Sequence, residues 1–272
     1  MVVDGFMYGA HPSRTVGSGI EFSQYRSYQP GDDLRRVDWK LFGRSDRYFV
    51  RESESETSVA VQIVLDATGS MGEASDGGLT KLDYGRFLCA ALALLAHRQG
   101  DAIGLHVVTD GRLNPVRAAR GQRHFHRILH ALETASAHGA WPDWATIEGP
   151  LTSAGRSITL FVGDLHERDS EIRTAVRHLA ALRHDVGVLH LIGRREAELG
   201  YSGPVTFEEI ETGRIVEFDA EAARPAYLAS LAASLGALSD EFTERRVVYL
   251  RGMTDQPLDE LLRAFVTLRR RS

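Results

Sequence analysis

Val59-Ala60-Val61-Gln62-Ile63-Val64-Leu65-Asp66-Ala67-Thr68-Gly69-Ser70-Met71 is the stretch on which the fold turns. A mostly apolar run rich in Val and Ile leads straight into an aspartate, which reads as a strand buried on both faces of a sheet. Asp66 then falls at the carboxyl end of that strand, where open α/β sheets place their ligand sites. Thr68 and Ser70 follow at i+2 and i+4, and Gly69 between them permits a tight loop with both hydroxyls on one side. One carboxylate and two hydroxyls form an all-oxygen set that suits a hard cation such as Mg²⁺ or Mn²⁺. The plainer alternative is an aspartate that only caps the following turn or helix.

Working outward, Ser157-Ile158-Thr159-Leu160-Phe161-Val162-Gly163-Asp164 repeats the pattern of a buried strand that ends in aspartate. Two such strands in one sheet can aim both carboxylates into one crevice. Between them, apolar positions at 82, 87, 88, 91, 92, 94 and 95 predict a helix over 79–98. Ala102–Thr109 predicts a strand, Asp110-Gly111 a hairpin turn, and 112–116 a short returning strand. Helices are expected over 124–135, 170–183, 222–238 and 258–269, and strands over 186–192 and 247–250. The stretches 205–210 and 214–218 around Glu211-Thr212-Gly213 predict a peripheral β-hairpin. The fold class is therefore α/β, a Rossmann-type, mostly parallel sheet with helices on both faces. His126 and His130 have the spacing of a metal pair, but without an accompanying Glu or Cys they read as a solvated helix face.

Bulk properties bound the function. The 272 residues carry a net charge of -5, which gives no general attraction to nucleic acid or anionic membrane. The single cysteine, Cys89, lies in an apolar run and excludes an intrachain disulfide framework. No signal peptide or membrane-spanning run is read, so the expected location is cytoplasmic. The expected organisation is an N-terminal arm over 1–58, with a β component and packed on the main domain, followed by that domain over 59–272. In the arm, Arg26, Arg35, Arg36 and Trp39 stand among tyrosines and aspartates and read as a partner-binding surface. The alternative is internal pairing of these arginines with Asp32, Asp33 and Asp38.

Together, Gly17-Ser18-Gly19-Ile20-Glu21-Phe22, Tyr25-Arg26-x-Tyr28-x-Pro30-Gly31-Asp32-Asp33-x-Arg35-Arg36-x-Asp38-Trp39 and the Asp66 loop resemble the bacterial domain-of-unknown-function 58 proteins, relatives of the von Willebrand factor A domain. The resemblance runs on through Gly163-Asp164, Glu211-Thr212-Gly213 and Tyr227. It implies a von Willebrand A-like fold with a metal-ion-dependent adhesion site, to which a partner protein supplies an acidic residue. Asp66, Thr68 and Ser70 match the first loop of such a site, and Asp164 matches the third. The second loop departs from the pattern. Pro142-Asp143 stands near the expected Thr-Asp, with Thr146 as the substitute hydroxyl. The resemblance also implies a MoxR-type AAA+ ATPase as partner in chaperone-like assembly. No phosphate-binding G-x-x-x-x-G-K-[ST] loop occurs in this chain, so such an ATPase is a separate subunit.

The expected function is thus a non-enzymatic, protein-binding module. Two alternatives stand beside it. The first is a haloacid-dehalogenase-type phosphotransferase, with Asp66 as nucleophile, Gly163-Asp164 as the later motif and Lys81 as the cation. That chemistry wants a second carboxyl two residues after the nucleophile, where this chain has Thr68. The second is a metal-free scaffold with a decayed site.

Overall fold

The computed structural model describes residues 22–29, 32, 37–45, 47–53, 60–74, 78–152, 157–208 and 215–269. These belong to two units, one within Ala10–Ser58 and one within Val59–Ser272. In the smaller unit, β1 (Phe22–Ser27) pairs antiparallel with β2 (Phe49–Ser53), and α1 (Trp39–Ser45) lies between them in sequence. Asp38 caps α1, its Oδ1 accepting from the backbone N–H groups of Lys40 and Leu41. Neither α1 nor β1 was expected from the sequence. The helix is only seven residues long, and the strand lacks an apolar run.

The larger unit holds a six-stranded sheet of β3 (Ala60–Asp66), β4 (Ile103–Thr109), β5 (Arg112–Ala119), β6 (Ser157–Gly163), β7 (Asp185–Ile192) and β10 (Val248–Met253). Its spatial order is β10-β7-β6-β3-β4-β5, parallel except for the edge strand β5. Counted from β3, this is the 3-2-1-4-5-6 order of a doubly wound sheet, read from the β5 edge. The chain leaves β3 in one direction across the sheet and returns through β6 in the other. The crevice between these two neighbours is the switch point. At the edge, Asp110 and Gly111 both take positive φ (51° and 65°), as a tight hairpin demands. Pro115 is tolerated on β5 because the strand has one free side.

Helices cover both faces. α2 (Lys81–Arg98), α3 (Gln122–Thr134) and α8 (Leu258–Arg269) close one side, where Leu88, Leu92, Ile128 and Phe265 meet Val61, Ile63 and Leu65. α4 (Trp144–Thr152), α5 (Glu171–Ala181) and α7 (Ala220–Glu244) close the other, where Ile147, Val176 and Phe242 meet Val64 and Phe161. This explains why β3 is apolar at nearly every position. Alternate residues enter opposite cores, so no position faces water. The exception, Gln62, is buried and bonded to His106 Nε2 at 2.9 Å.

A short helix α6 (Arg194–Glu198), not expected from the sequence, follows β7. β8 (Pro204–Glu208) and β9 (Ile215–Asp219) form the expected hairpin as a separate two-stranded sheet; Glu211, Thr212 and Gly213 lie outside the described residues. Cys89 is fully buried, as its surroundings predicted. His126 and His130 are exposed, whereas His124 turns inward and meets the carbonyl oxygen of Ile103 at 2.6 Å. Among the described residues no helix is long and apolar enough to cross a membrane.

Candidate functional site

Strand parity sets the site. Asp66 shares the parity of Val64, so its side chain enters the face covered by α4 and α5. The adjoining position on β6 is Gly163, where a Cβ atom would lie 2.4 Å from Asp66 Cβ and 2.9 Å from its Oδ2. Only glycine leaves room for the carboxylate there. Asp164, one residue on, follows the end of β6 beside the same crevice.

The backbone then folds each polar group toward Asp66. A turn of 3₁₀ helix over Gly69–Gly72 follows Thr68. The Thr68 backbone N–H and Oγ1 both donate to Asp66 Oδ1, at 2.9 and 2.7 Å. Thr68 Oγ1 and Ser70 Oγ share a hydrogen bond at 3.3 Å, and Ser70 Oγ donates to Asp164 Oδ1 at 3.2 Å. Asp66, Thr68, Ser70 and Asp164 therefore form one continuous chain of oxygens at the carboxyl edge of β3 and β6. Asp66, Thr68 and Asp164 are all buried.

The second loop contributes something else. Asp143 is exposed, and its Oδ1 accepts from the backbone N–H and the hydroxyl of Thr146 at 3.0 and 2.6 Å, which closes the first turn of α4. The two residues are thus engaged with each other. In their stead Trp141, buried against Phe161, donates its indole N–H to Asp66 Oδ2 at 2.8 Å. Main-chain bonds fix this loop to the first one. Gly69 N donates to Gly139 O at 2.9 Å, and His138 N to Ala67 O at 3.0 Å.

A cation also enters the cluster. Thr80 caps α2 in a reciprocal capping box with Asp83, which makes Lys81 the first helical residue. Side chains of a helix lean toward its N-terminus, and the Lys81 ammonium reaches back to Asp164 Oδ2 at 2.6 Å. It lies 3.4 Å from Glu196 and 3.8 Å from Glu73. Sequence reasoning placed Lys81 only in the phosphotransferase alternative and did not include Trp141 or Glu196. One signal for Lys81 was available: a lysine between Thr80 and Leu82 opens a helix, where its charge opposes the helix dipole.

The electrostatics follow. Burial, reinforced by the neighbouring Asp164, pushes the Asp66 carboxyl up to about 7, against the hydrogen bonds from Trp141 and Thr68. Burial would raise Asp164 too, but Lys81, the His166 N–H and Ser70 hold it below the ordinary carboxylate value. Burial would lower Lys81, yet Asp164, Glu196 and Glu73 hold it above the ordinary lysine value. One ammonium thus serves a buried carboxylate pair, and Asp66 is left with neutral donors alone.

That imbalance is what a further cation would relieve. The set is two carboxylates and two hydroxyls, hard donors of the kind Mg²⁺ takes together with water. Among the described residues no group of three or more His, Cys, Asp or Glu side chains is placed to hold a metal ion. The donors fit in kind, with one departure: an oxygen of Asp164 already holds Lys81. Of the expected partner-binding residues, Trp39 is 55% exposed and edge-on to Phe42 and Tyr48. Arg26 lies on β1, while Arg35 and Arg36 lie outside the described residues.

Comparisons with known proteins agree with the family read from the motifs. Uncharacterized proteins of Mycobacterium tuberculosis and Mycobacterium bovis are each 27% identical over 225 residues, covering 81% of this chain and 70% of their own. Among solved structures, a conserved hypothetical protein BatB from Bacteroides thetaiotaomicron overlaps 79% of this chain and all of its own at 15% identity, with a TM-score of 0.49. An aerotolerance-related membrane protein from Bacteroides fragilis does so over the same shares at 16% identity and a TM-score of 0.48. The SpRpn10 VWA domain overlaps 77% of this chain and 94% of its own at 8% identity and a TM-score of 0.41. The family described as "Protein of unknown function DUF58" matches residues 24–235, well over half of the sequence, and the chain belongs to that family.

Proposed function

We propose that this chain is a non-enzymatic protein-binding module whose Asp66, Thr68, Ser70 and Asp164 hold a divalent cation, Mg²⁺ or Mn²⁺. The observation that carries the reading is the unbroken chain of oxygens from Asp66 to Asp164 at the switch point of the sheet. A divalent cation held by these residues would supply the positive charge that a carboxylate of a partner protein meets. Asp66 and Asp164 supply the charge, Thr68 and Ser70 the neutral oxygens, and Trp141 keeps Asp66 from turning away. The partner that the family resemblance suggests is a MoxR-type AAA+ ATPase acting in chaperone-like assembly in the cytoplasm. In the smaller unit Trp39, with Arg26, Arg35 and Arg36, is a separate candidate for partner contact by residue type, since aromatic and arginine side chains concentrate binding energy.

Calorimetry with MgCl₂ and MnCl₂ tests the site: one ion binds wild type and none binds Asp66→Ala. Equal binding by both proteins would refute the assignment. Affinity capture of the ATPase with and without chelator tests the function, and capture that ignores both chelator and Trp39→Ala removes the partner reading.

A metal-free scaffold is the second reading, and Lys81 favours it by already pairing with Asp164. The phosphotransferase alternative loses ground on geometry. Asp66 is 1% exposed, which denies the in-line approach that a phosphoryl group needs, and Thr68 stands where that chemistry wants a second carboxyl.

A further inference from the structure

Lys81 is 4% exposed and sits at the end of α2 where a positive charge is least welcome. A buried ammonium persists only where it is paired. Lys81 has three carboxylates within 4 Å, and they lie in two environments. Asp164 is buried and belongs to the oxygen chain through Ser70. Glu196 and Glu73, with side chains 33% and 47% exposed, line a shallow cleft with Lys81, Ala74, Gly193 and Arg195. Lys81 is therefore the wall between the oxygen cluster and that cleft, with anions on both sides.

We propose that Lys81 is the resting cation of this site and exchanges with a divalent ion, holding Asp164 in the metal-free protein and moving its charge onto Glu196 and Glu73 when Asp164 becomes a metal ligand. This inference rests on the metal reading above and assigns that site its regulation. Lysine is a point charge on a flexible four-carbon stem, so the short move needs no backbone change. Its ammonium and a divalent ion on one carboxylate repel each other. Without Glu196 and Glu73 the displaced ammonium would be buried and unpaired, which is costly. The exchange carries one positive charge toward the cleft. A partner that prefers the cleft with Lys81 turned into it therefore tightens ion binding by the same factor as the ion tightens partner binding.

Calorimetry with MgCl₂ and MnCl₂ on wild type, Lys81→Met, Glu196→Gln and the double variant tests the exchange. Expected are binding at least about fivefold tighter in Lys81→Met and at least about fivefold weaker in Glu196→Gln, with the Glu196→Gln effect vanishing in the Lys81→Met background. Glu198→Gln, on the same helix and paired with Arg194, controls for long-range charge and stays near wild type. Equal or weaker binding by Lys81→Met overturns the exchange, as does a Glu198→Gln loss equal to that of Glu196→Gln. Equal binding by wild type and Lys81→Met removes the exchange and leaves the metal reading standing. Binding by neither removes both, and binding by Lys81→Met alone supports both. Thermal melts give a readout free of calorimetry, with Mg²⁺ raising the Tm of Lys81→Met more than that of wild type. Should Lys81→Met fail to fold, Glu196→Gln against Glu198→Gln decides, because both keep the Lys81–Asp164 pair.

Discussion

The indole N–H of Trp141 holds Asp66 Oδ2 at 2.8 Å, and both side chains are buried. A tryptophan thus stands where the second loop of an adhesion-type site was expected to bring a hydroxyl, and it orients the aspartate instead of joining it as a ligand. Trp141→Phe keeps most of the ring packing on Phe161 and removes the donor. A hydrogen bond to a buried charged group is worth about 1.5–3 kcal/mol, so urea denaturation at alkaline pH, where Asp66 is ionised, is expected to show a loss of about 2 kcal/mol. A loss below about 0.5 kcal/mol would mean that the bond does not anchor Asp66.

Gly163→Ala tests the close approach of β3 and β6. The added methyl falls on Asp66 Cβ, and Asp66 is confined by Thr68 and Trp141. Overpacking of this kind costs about 1–3 kcal/mol. The expected outcome is a lower Tm together with loss of Mg²⁺ binding. Normal binding in a destabilised protein would show that Asp66 can shift without harm to the site.

The raised Asp66 carboxyl makes a pH prediction with a definite sign. Its folded value of about 7 exceeds the ordinary 3.8, so the folded state binds the proton more tightly. Its contribution to the metal-free protein is full below about pH 4 and is lost as pH rises toward 7, by at most about 1.4 kcal/mol per pH unit. His106 and His190 are both lowered by burial to about 4 and act in the opposite direction, losing stability as pH falls below 6.5. The net curve therefore hides Asp66, and the difference between wild type and Asp66→Asn reveals it. That difference is expected to slope against wild type from pH 4 to pH 7 with chelator present, and to flatten or invert with saturating Mg²⁺. A difference independent of pH would refute the raised value.

Thr80 fixes where α2 begins and hence where Lys81 stands. Thr80→Ala removes the cap on the Asp83 N–H and breaks the reciprocal box, at a cost of about 1 kcal/mol. Thr80→Ser restores most of it. Chemical denaturation of the three proteins checks the order, and an unchanged Thr80→Ala would show that tertiary packing alone sets the helix start.

The inner strands β3, β4, β6 and β7 were legible because they are buried on both faces, and apolar runs such as Val61–Leu65 and Ile158–Val162, interrupted only by Gln62 and Thr159, announce that directly. Helix α8 was legible end to end for a similar reason, its apolar stripe being unbroken. The oxygens of the cluster could be read because strand ends are fixed points of an α/β sheet. Trp141, Lys81 and Glu196 could not, since each reaches the cluster from a different element through side-chain length. Spacing along the chain says nothing about that: Lys81 and Asp164 are 83 residues apart. Asp143 and Thr146 illustrate the reverse. Their three-residue spacing suits a helix cap, and the cap is the role the chain gives them.

The lacing of the two loops by Gly69 N to Gly139 O and His138 N to Ala67 O has a kinetic consequence. The loop that carries Thr68 and the segment that presents Trp141 are tied to each other by main-chain hydrogen bonds just past the end of β3. Slow amide exchange at Gly69 and His138, comparable with that of the core strands, is the expected outcome although both lie beside the site. A ligand arriving at these oxygens meets a preorganised cradle and loses little entropy in ordering it. For the proposed cation, association is expected to be set by encounter and by dehydration of the ion, with loop closure contributing little to the barrier.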